Sequence, residues 1–292
     1  MKLASSCWVY IVVIFLGACG KDNEPGMEVF SAQPIAKEVP EGYAPEASGI
    51  VDSYINDGQL WLIQDGGNPA ELLPLSHEGI PGPKLRIEGV VNRDWEEVFI
   101  GAGPMQGKPY LYIADIGDNF KEYGEYTILR FPEPLKDIGV VNTVEKIGFR
   151  YEDGRSRNAN AILVDPKSLD ILILTKEADK VDIYTIAYPQ LSNAINQASF
   201  RGSLNLGSIT AASLAPGGTG ILLRNYKEAY YWNTTSSTPL IDALAVQPAV
   251  VSLVREPQGE AISFSSKGDG FFTLSEQGPA SEKVRLMFYS RK

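Results

Sequence analysis

Five copies of one short pattern constrain this chain more than any other feature. They are Glu46-Ala-Ser48-Gly-Ile50, Asp94-Trp-Glu96-Glu-Val98, Asn158-Ala-Asn160-Ala-Ile162, Thr210-Ala-Ala212-Ser-Leu214 and Gln258-Gly-Glu260-Ala-Ile262. Each copy reads polar, spacer, polar, small, aliphatic. The third positions are spaced by 48, 64, 52 and 48 residues, a period that belongs to propellers and solenoids. The pattern therefore predicts an all-β fold, a single β-propeller whose repeated strand starts surround one axis.

The residues after each copy support strands. A polar turn leads into an apolar or aromatic run: Leu60–Ile63, Tyr110–Ile113, Ile171–Leu174, Ile221–Leu223 and Phe271–Leu274. Asp57-Gly58 and Gly217-Gly218 are turn signals between such runs. No long amphipathic helix is visible, and Leu191–Ala198 offers at best one short helical turn. The first four repeats each have room for four strands, as in Ala161–Asp165, Ile171–Lys176, Val181–Ala187 and Ser199–Leu204. The fifth offers three, Ala261–Ser265, Phe271–Ser275 and Arg285–Tyr289. The expectation is five blades, with Glu28–Val39 supplying the missing outer strand and closing the ring. Six blades is the alternative if the 64-residue interval hides a degenerate repeat.

Residues 1–18 read as a targeting segment: Lys2 at the start, then an apolar core from Trp8 to Leu16, too short to span a membrane. Leu16-Gly17-Ala18-Cys19 resembles a bacterial lipobox, which implies acylation of Cys19 and, with two or more chains, stable anchoring. Lys21-Asp22-Asn23-Glu24 is similar to the signal that sorts Gram-negative lipoproteins to the outer face of the outer membrane. The resemblance implies the cell surface, with the periplasmic face as the alternative. Residues 19–27 form a tether and 28–292 the propeller domain, which is expected to be a monomer. Cys7 leaves with the leader, so the mature chain has no disulfide and no thiol catalyst. Formal charge is −10, or −11 without Lys2, which argues against nucleic acid and anionic lipid as partners.

The start of a blade's first strand and the end of its antiparallel second strand share one face. That face should gather Glu46, Ser48, Asp94, Glu96, Asn158, Asn160, Thr210 and Glu260 with Asp65, Asp115, Asp118, Asn119, Lys176, Glu177, Arg224, Tyr226 and Glu276. Residues two apart on a strand share a side, so the motif residues should form two stacked polar tiers. Short polar residues can also cap free backbone groups, and acidic residues in Gly-Asp-Asn are often turn formers. Buried glutamates at 96 and 260 call for a cation or a donor. Ser48, Glu96, Asn160 and Glu260 would offer oxygen ligands suited to Ca²⁺. The sole histidine, His77, falls in a connection expected on the opposite face, which disfavours zinc and histidine-dependent triads. Chemistry is then left to Glu96 and Glu260 as acid–base groups, to metal-activated water, or to electrostatic stabilisation by Lys176, Arg93 and Arg224. Lys176–Glu177 and Arg224 read equally well as ion pairs between blades.

Asn92-Arg-Asp-Trp-Glu-Glu97 and Tyr112-Ile-Ala-Asp-Ile-Gly-Asp-Asn119 resemble a family of secreted and lipoprotein β-propellers. The chain is more loosely similar to esterase-like phytase and quorum-sensing-regulated propellers. The ring of Ser48, Glu96, Asn160 and Glu260 resembles the axial calcium arrangement of five-bladed calcium-activated nucleotidases. These resemblances imply a propeller that binds a small ligand through an axial cation, with phosphate-ester or related hydrolysis as a reaction. Asn160 departs from the acidic residue usual in the family. The alternative is a non-catalytic module that presents this face to a protein or glycan.

Overall fold

The computed structural model describes residues 29–277 and 283–292. The leader, Cys19 and the tether lie outside the described residues. The chain forms strand after strand. β1 (Ile35–Glu38) is followed by β2 (Ala47–Asp52), β3 (Gln59–Gln64), β4 (Glu71–Ser76) and β5 (Leu85–Ile87). Next come β6 (Trp95–Ala102), β7 (Pro109–Asp115), β8 (Tyr126–Pro132), β9 (Val140–Val141) and β10 (Glu145–Tyr151). β11 (Ala159–Val164), β12 (Ile171–Thr175), β13 (Val181–Ile186) and β14 (Asn196–Leu204) precede β15 (Ala211–Leu214), β16 (Gly220–Arg224) and β17 (Glu228–Asn233). One short helix, α1 (Leu240–Leu244), leads to β18 (Ala249–Ser252), β19 (Gln258–Phe264), β20 (Gly270–Glu276) and β21 (Arg285–Ser290).

The strands pair as meanders in the orders β2-β3-β4-β5, β6-β7-β8-β10, β11-β12-β13-β14, β15-β16-β17-β18 and β19-β20-β21-β1. Some outer edges are covered, β14 pairing in parallel with β10 and β9 with β5, while β18 and β1 end their sheets. The long interval between the second and third motifs is filled by β9 and its flanking connections, not by a further meander. β2, β6, β11, β15 and β19 are innermost, each touching the next, and β19 returns to touch β2. This is the β-propeller arrangement. β1 pairs antiparallel with β21, Ile35 opposite Phe288 and Glu38 opposite Arg285. The paired stretch is shorter than the expected Glu28–Val39, although Phe30 adds a bridge to Arg291.

The inner two strands of each sheet are buried on both sides, which explains why they read as continuous apolar runs rather than alternating ones. Residues 191–198 do not form the expected helical turn. The Asn196 side chain bonds both the N–H and the carbonyl of Leu191 at 2.8 Å and the Gly148 carbonyl at 2.8 Å. That competition with helical hydrogen bonds sends Asn196 into β14.

One irregularity recurs. Register shifts fall between Ala47 and Gly49, Trp95 and Glu97, Ala159 and Ala161, and Gly259 and Ala261. Ser48, Glu96, Asn160 and Glu260, the third motif residues, are thus the extra residues of four β-bulges. β15 pairs with β16 without a shift, and its third motif residue is Ala212. A bulge re-aims a side chain and bends its strand. The two regular tiers expected from simple alternation therefore do not form.

Candidate functional site

The bulged residues meet the ends of the second strands at one mouth of the propeller. Asp65, just after β3, and Asp94 and Glu96, at the start of β6, bring carboxylate oxygens within 4.8 Å of one another. The Gly66 N–H donates to Asp65 Oδ1 at 2.6 Å. The Asn160 amide donates to Glu96 Oε2, while the buried Asn160 Oδ1 has no hydrogen-bond partner among the described residues. None of the three carboxylates forms an ion pair among the described residues.

Two glycines make the cluster possible. A Cβ on Gly117 would lie 2.3 Å from the Asp94 carboxyl and 2.5 Å from Glu96 Oε1, and one on Gly66 would lie 2.7 Å from Asp94 Oδ1. Both backbones are pressed against the carboxylates, where any side chain would take their place. Burial, the adjoining Asp65 carboxyl and the charge of Asp115 push Asp94 up to about 7, against the Arg93 guanidinium. Burial raises Glu96 well above the ordinary range, and Asp65, Asp94 and Glu260 add to this against Lys176.

Across the mouth the electrostatics differ. Lys176, after β12, lies 3.8 Å from Glu260 Oε1, with its ammonium over the Tyr226 ring. The Tyr226 hydroxyl donates to Glu260 Oε1 at 3.1 Å, and Gln258 donates to both Glu260 and Glu276. Burial works to lower Lys176, but Glu96, Glu260 and Tyr226 together hold it above its ordinary value. Glu276 is pushed up to about 7 by burial and by Glu260, Asp65 and Glu46.

The structure thus joins Asp65, Asp94, Glu96, Asn160, Lys176, Tyr226, Glu260 and Glu276. Other expected site residues are engaged elsewhere. Glu46 is exposed and accepts from Asn68 at 2.6 Å. Asp115 accepts the Asp94 N–H at 2.9 Å and lies 3.5 Å from Arg93. It stays raised by burial despite that guanidinium. Asp118 organises its own loop, accepting from Glu122 N, Tyr123 N and the Tyr126 hydroxyl. Asn119 accepts from Asn158 at 2.9 Å. Glu177 pairs with Lys121 at 2.7 Å, not with Lys176.

Arg224 does not reach the mouth chemistry as expected. It is fully buried in a 2.8 Å ion pair with Glu256 and donates to the Ala261 carbonyl at 3.1 Å. Gly259 leaves the space, since a Cβ there would meet Arg224 Nη2 at 1.7 Å. Of Ser48, Glu96, Asn160 and Glu260, Ser48 Oγ donates to the Trp95 carbonyl at 2.6 Å, Asn160 donates to Glu96, and Glu260 lies 3.8 Å from Lys176.

One central residue escaped the sequence reading. Glu97 is fully buried, and its Oε2 accepts the Ala212 N–H at 2.7 Å, reaching from β6 to β15. Burial raises its carboxyl well above the ordinary range. The signal was present, because the fourth motif position is Gly49, Ala161, Ser213 or Ala261 elsewhere and glutamate only here. His77 lies on the opposite face, where Nε2 is 2.7 Å from Asp52 and the ring packs on Phe272.

No protein-family model matches the sequence, and no curated protein does. Among solved structures, one described as a candidate gluconolactonase is similar at 13 % identity over 91 % of this chain and 95 % of that one, with a TM-score of 0.46. A candidate 6-phosphogluconolactonase from Bacteroides uniformis is similar at 12 % identity over 87 % and 74 %, TM-score 0.41. Hydrazine synthase from Kuenenia stuttgartiensis is similar at 9 % identity over 87 % and 97 %, TM-score 0.41. Likeness at this level carries nothing about chemistry, and the fold assignment rests on the sheet order itself.

Proposed function

We propose that this chain is a five-bladed envelope lipoprotein whose mouth binds a divalent cation at Asp65, Asp94 and Glu96 and, beside it, a small anionic ligand. One observation carries the reading. Three carboxylates from adjacent blades crowd within 4.8 Å without a protein counter-charge in contact, a costly arrangement unless protons or a cation neutralise it. The unpartnered Asn160 Oδ1 is a fourth oxygen beside them, and an all-oxygen set suits Ca²⁺.

A cation held there would polarise an ester oxygen and activate water, so hydrolysis of a phosphate or related ester is the reaction we assign. Lys176 supplies positive charge on the far side of the mouth, where a phosphate or carboxylate can be held. Glu276, near 7, can both donate and accept a proton at neutral pH. Glu96 and Asp94 serve as cation ligands in this reading, and Glu260 and Tyr226 position Lys176. Arg224 has no part in it.

Cys19 anchors the chain in the outer membrane, with the mouth presented at the cell surface or the periplasmic face. Membrane partition of the wild type, lost together with leader processing in Cys19→Ala, tests the anchor. Calorimetric titration of chelator-treated protein with calcium, magnesium and manganese, followed by a hydrolase substrate screen, tests the site. Binding of none of these ions removes the cation reading. A non-catalytic interaction module is the second reading, favoured by Phe120, whose side chain is 85 % exposed in the loop after β7 on the mouth face. Cation binding without turnover of any ester, with glycan or protein binding lost in Phe120→Ala, would select it.

A further inference from the structure

We propose that the face opposite the mouth is a membrane-docking face, seated on the bilayer with the acidic mouth turned away from it. The proposal rests on the Cys19 anchor. Its first support is where the chain enters the fold. β1 runs from Ile35, beside His77 and Lys267 on the far face, to Glu38, beside Pro45 and Gln277 at the mouth. Just upstream, Phe30 bridges Arg291 and packs on Tyr231 and Phe271, and the Val29 carbonyl accepts the Lys292 N–H. The chain thus arrives from the far face. Cys19 precedes Val29 by ten residues, which reach at most about 35 Å when fully extended. An anchor at Cys19 keeps that face close to the lipid.

The second support is apolar surface. Where β2 ends and β7 begins, on the far face, Tyr54, Ile55 and Met105 stand exposed around one hollow of about 600 Å³ that also includes Pro104 and Leu169. Ile80, 65 % exposed in the connection after β4, adds to the same face. Scattered exposed apolar residues need no explanation, but a shared hollow does.

The third support is charge. The hollow is lined by Lys108 and Lys167 and by no acidic residue, whereas the mouth gathers Asp65, Asp94, Glu96, Glu260 and Glu276. Anionic headgroups attract the first and repel the second. Asp57 and Glu78 are also exposed on this face, paired with Lys267 and Lys37, so the attraction is local to the hollow. Tethering makes docking intramolecular, so a patch too weak to hold the free domain can still orient the anchored one.

The test uses the mature chain coupled through its Cys19 thiol to maleimide lipid in phosphatidylcholine vesicles containing a minority of phosphatidylglycerol. Trp61, Trp95 and Trp232 are buried and give a constant background. Ile55→Trp places a reporter on the far face and Phe120→Trp one on the mouth face, both at exposed positions. With brominated lipids, the added emission of Ile55→Trp should shift blue and fall at least twofold, and that of Phe120→Trp should stay unchanged. Unchanged emission from Ile55→Trp, or quenching of Phe120→Trp instead, overturns the proposal. Because the coupling is chemical, the result does not depend on natural acylation. Failure of docking is therefore distinguishable from failure of the anchor, which fractionation of Cys19→Ala reports separately.

Discussion

On one side of the mouth Glu260 has a lysine, a tyrosine hydroxyl and a glutamine amide around it. On the other side Asp65, Asp94 and Glu96 have one another, an asparagine amide and two glycine backbones. Both sides place carboxylates where water is partly excluded, yet only Glu260 lies within ion-pair distance of a cation, Lys176, whose charge also acts on Glu96. The difference separates two ways of holding carboxylates in one mouth: Glu260 lies against a lysine, whereas Asp65, Asp94 and Glu96 form no ion pair among the described residues, and on the reading proposed above a cation is expected at the second group. A lysine ammonium 3.8 Å from Glu260 already answers the need that calcium would answer there.

The strongest way to break this comparison is to remove the lysine. Lys176→Met leaves Glu260 and Glu96 without their counter-charge and should destabilise the fold by about 3 kcal/mol, the low end for breaking a buried pair because Lys176 is partly exposed. Denaturant unfolding measures it. If the comparison holds, calcium should also stabilise this variant more than it does the wild type.

The converse experiment adds the cation. At one hundred times its dissociation constant, a bound ion stabilises the native state by about 2.7 kcal/mol, visible as a rise in melting temperature. Asp94→Asn with Glu96→Gln should abolish that rise, whereas Glu260→Gln should keep most of it. Equal loss in both variants would mean that the two sides form a single site.

A smaller effect should come from Gly117→Ala. The added methyl would meet Asp94 and Glu96 at contact-violating distances, costing about 1–2 kcal/mol. It should weaken calcium binding while leaving far-UV circular dichroism unchanged.

A further effect is expected with pH. Asp94 and Glu276 stand near 7 in the folded chain, so the folded state binds their protons more tightly than the unfolded state does. The stability they contribute is fully present below the ordinary carboxylate range, about pH 4, and is lost as pH rises through 7. Metal-free protein should therefore melt higher at about pH 5.5 than at about pH 8. Glu276→Gln should reduce that difference.

Much of this was legible in the sequence because repetition averages out local ambiguity. The apolar runs from Leu60 to Ile63 and from Ile171 to Leu174 fall inside β3 and β12, and the positions of the third motif residues mark the inner strands. Grouping within the mouth was not legible, since it depends on bulges that shift the register of β2, β6, β11 and β19 and leave no mark in composition. The role of Asp118 was ambiguous for another reason: an aspartate ending Gly-Asp can as easily hold a loop, and here it does. For Arg224 the ion-pair alternative holds rather than the catalytic one, with Glu256 in the connection from β18 to β19 as its partner and the space supplied by Gly259. Glu97 was hidden by being read as part of a pattern to which it is the exception.

The pairing of Ile35 with Phe288 also sets an order of events. The first strand to be synthesised is the last to find its partner, so the other meanders can form one by one while the final sheet keeps an open edge. Long-range closure of this kind is slow compared with hairpin formation, and an unpaired β21 edge is a template for another chain's strand. The interval between completion of β21 and arrival of β1 is therefore when this protein is most exposed to mispairing between neighbouring copies.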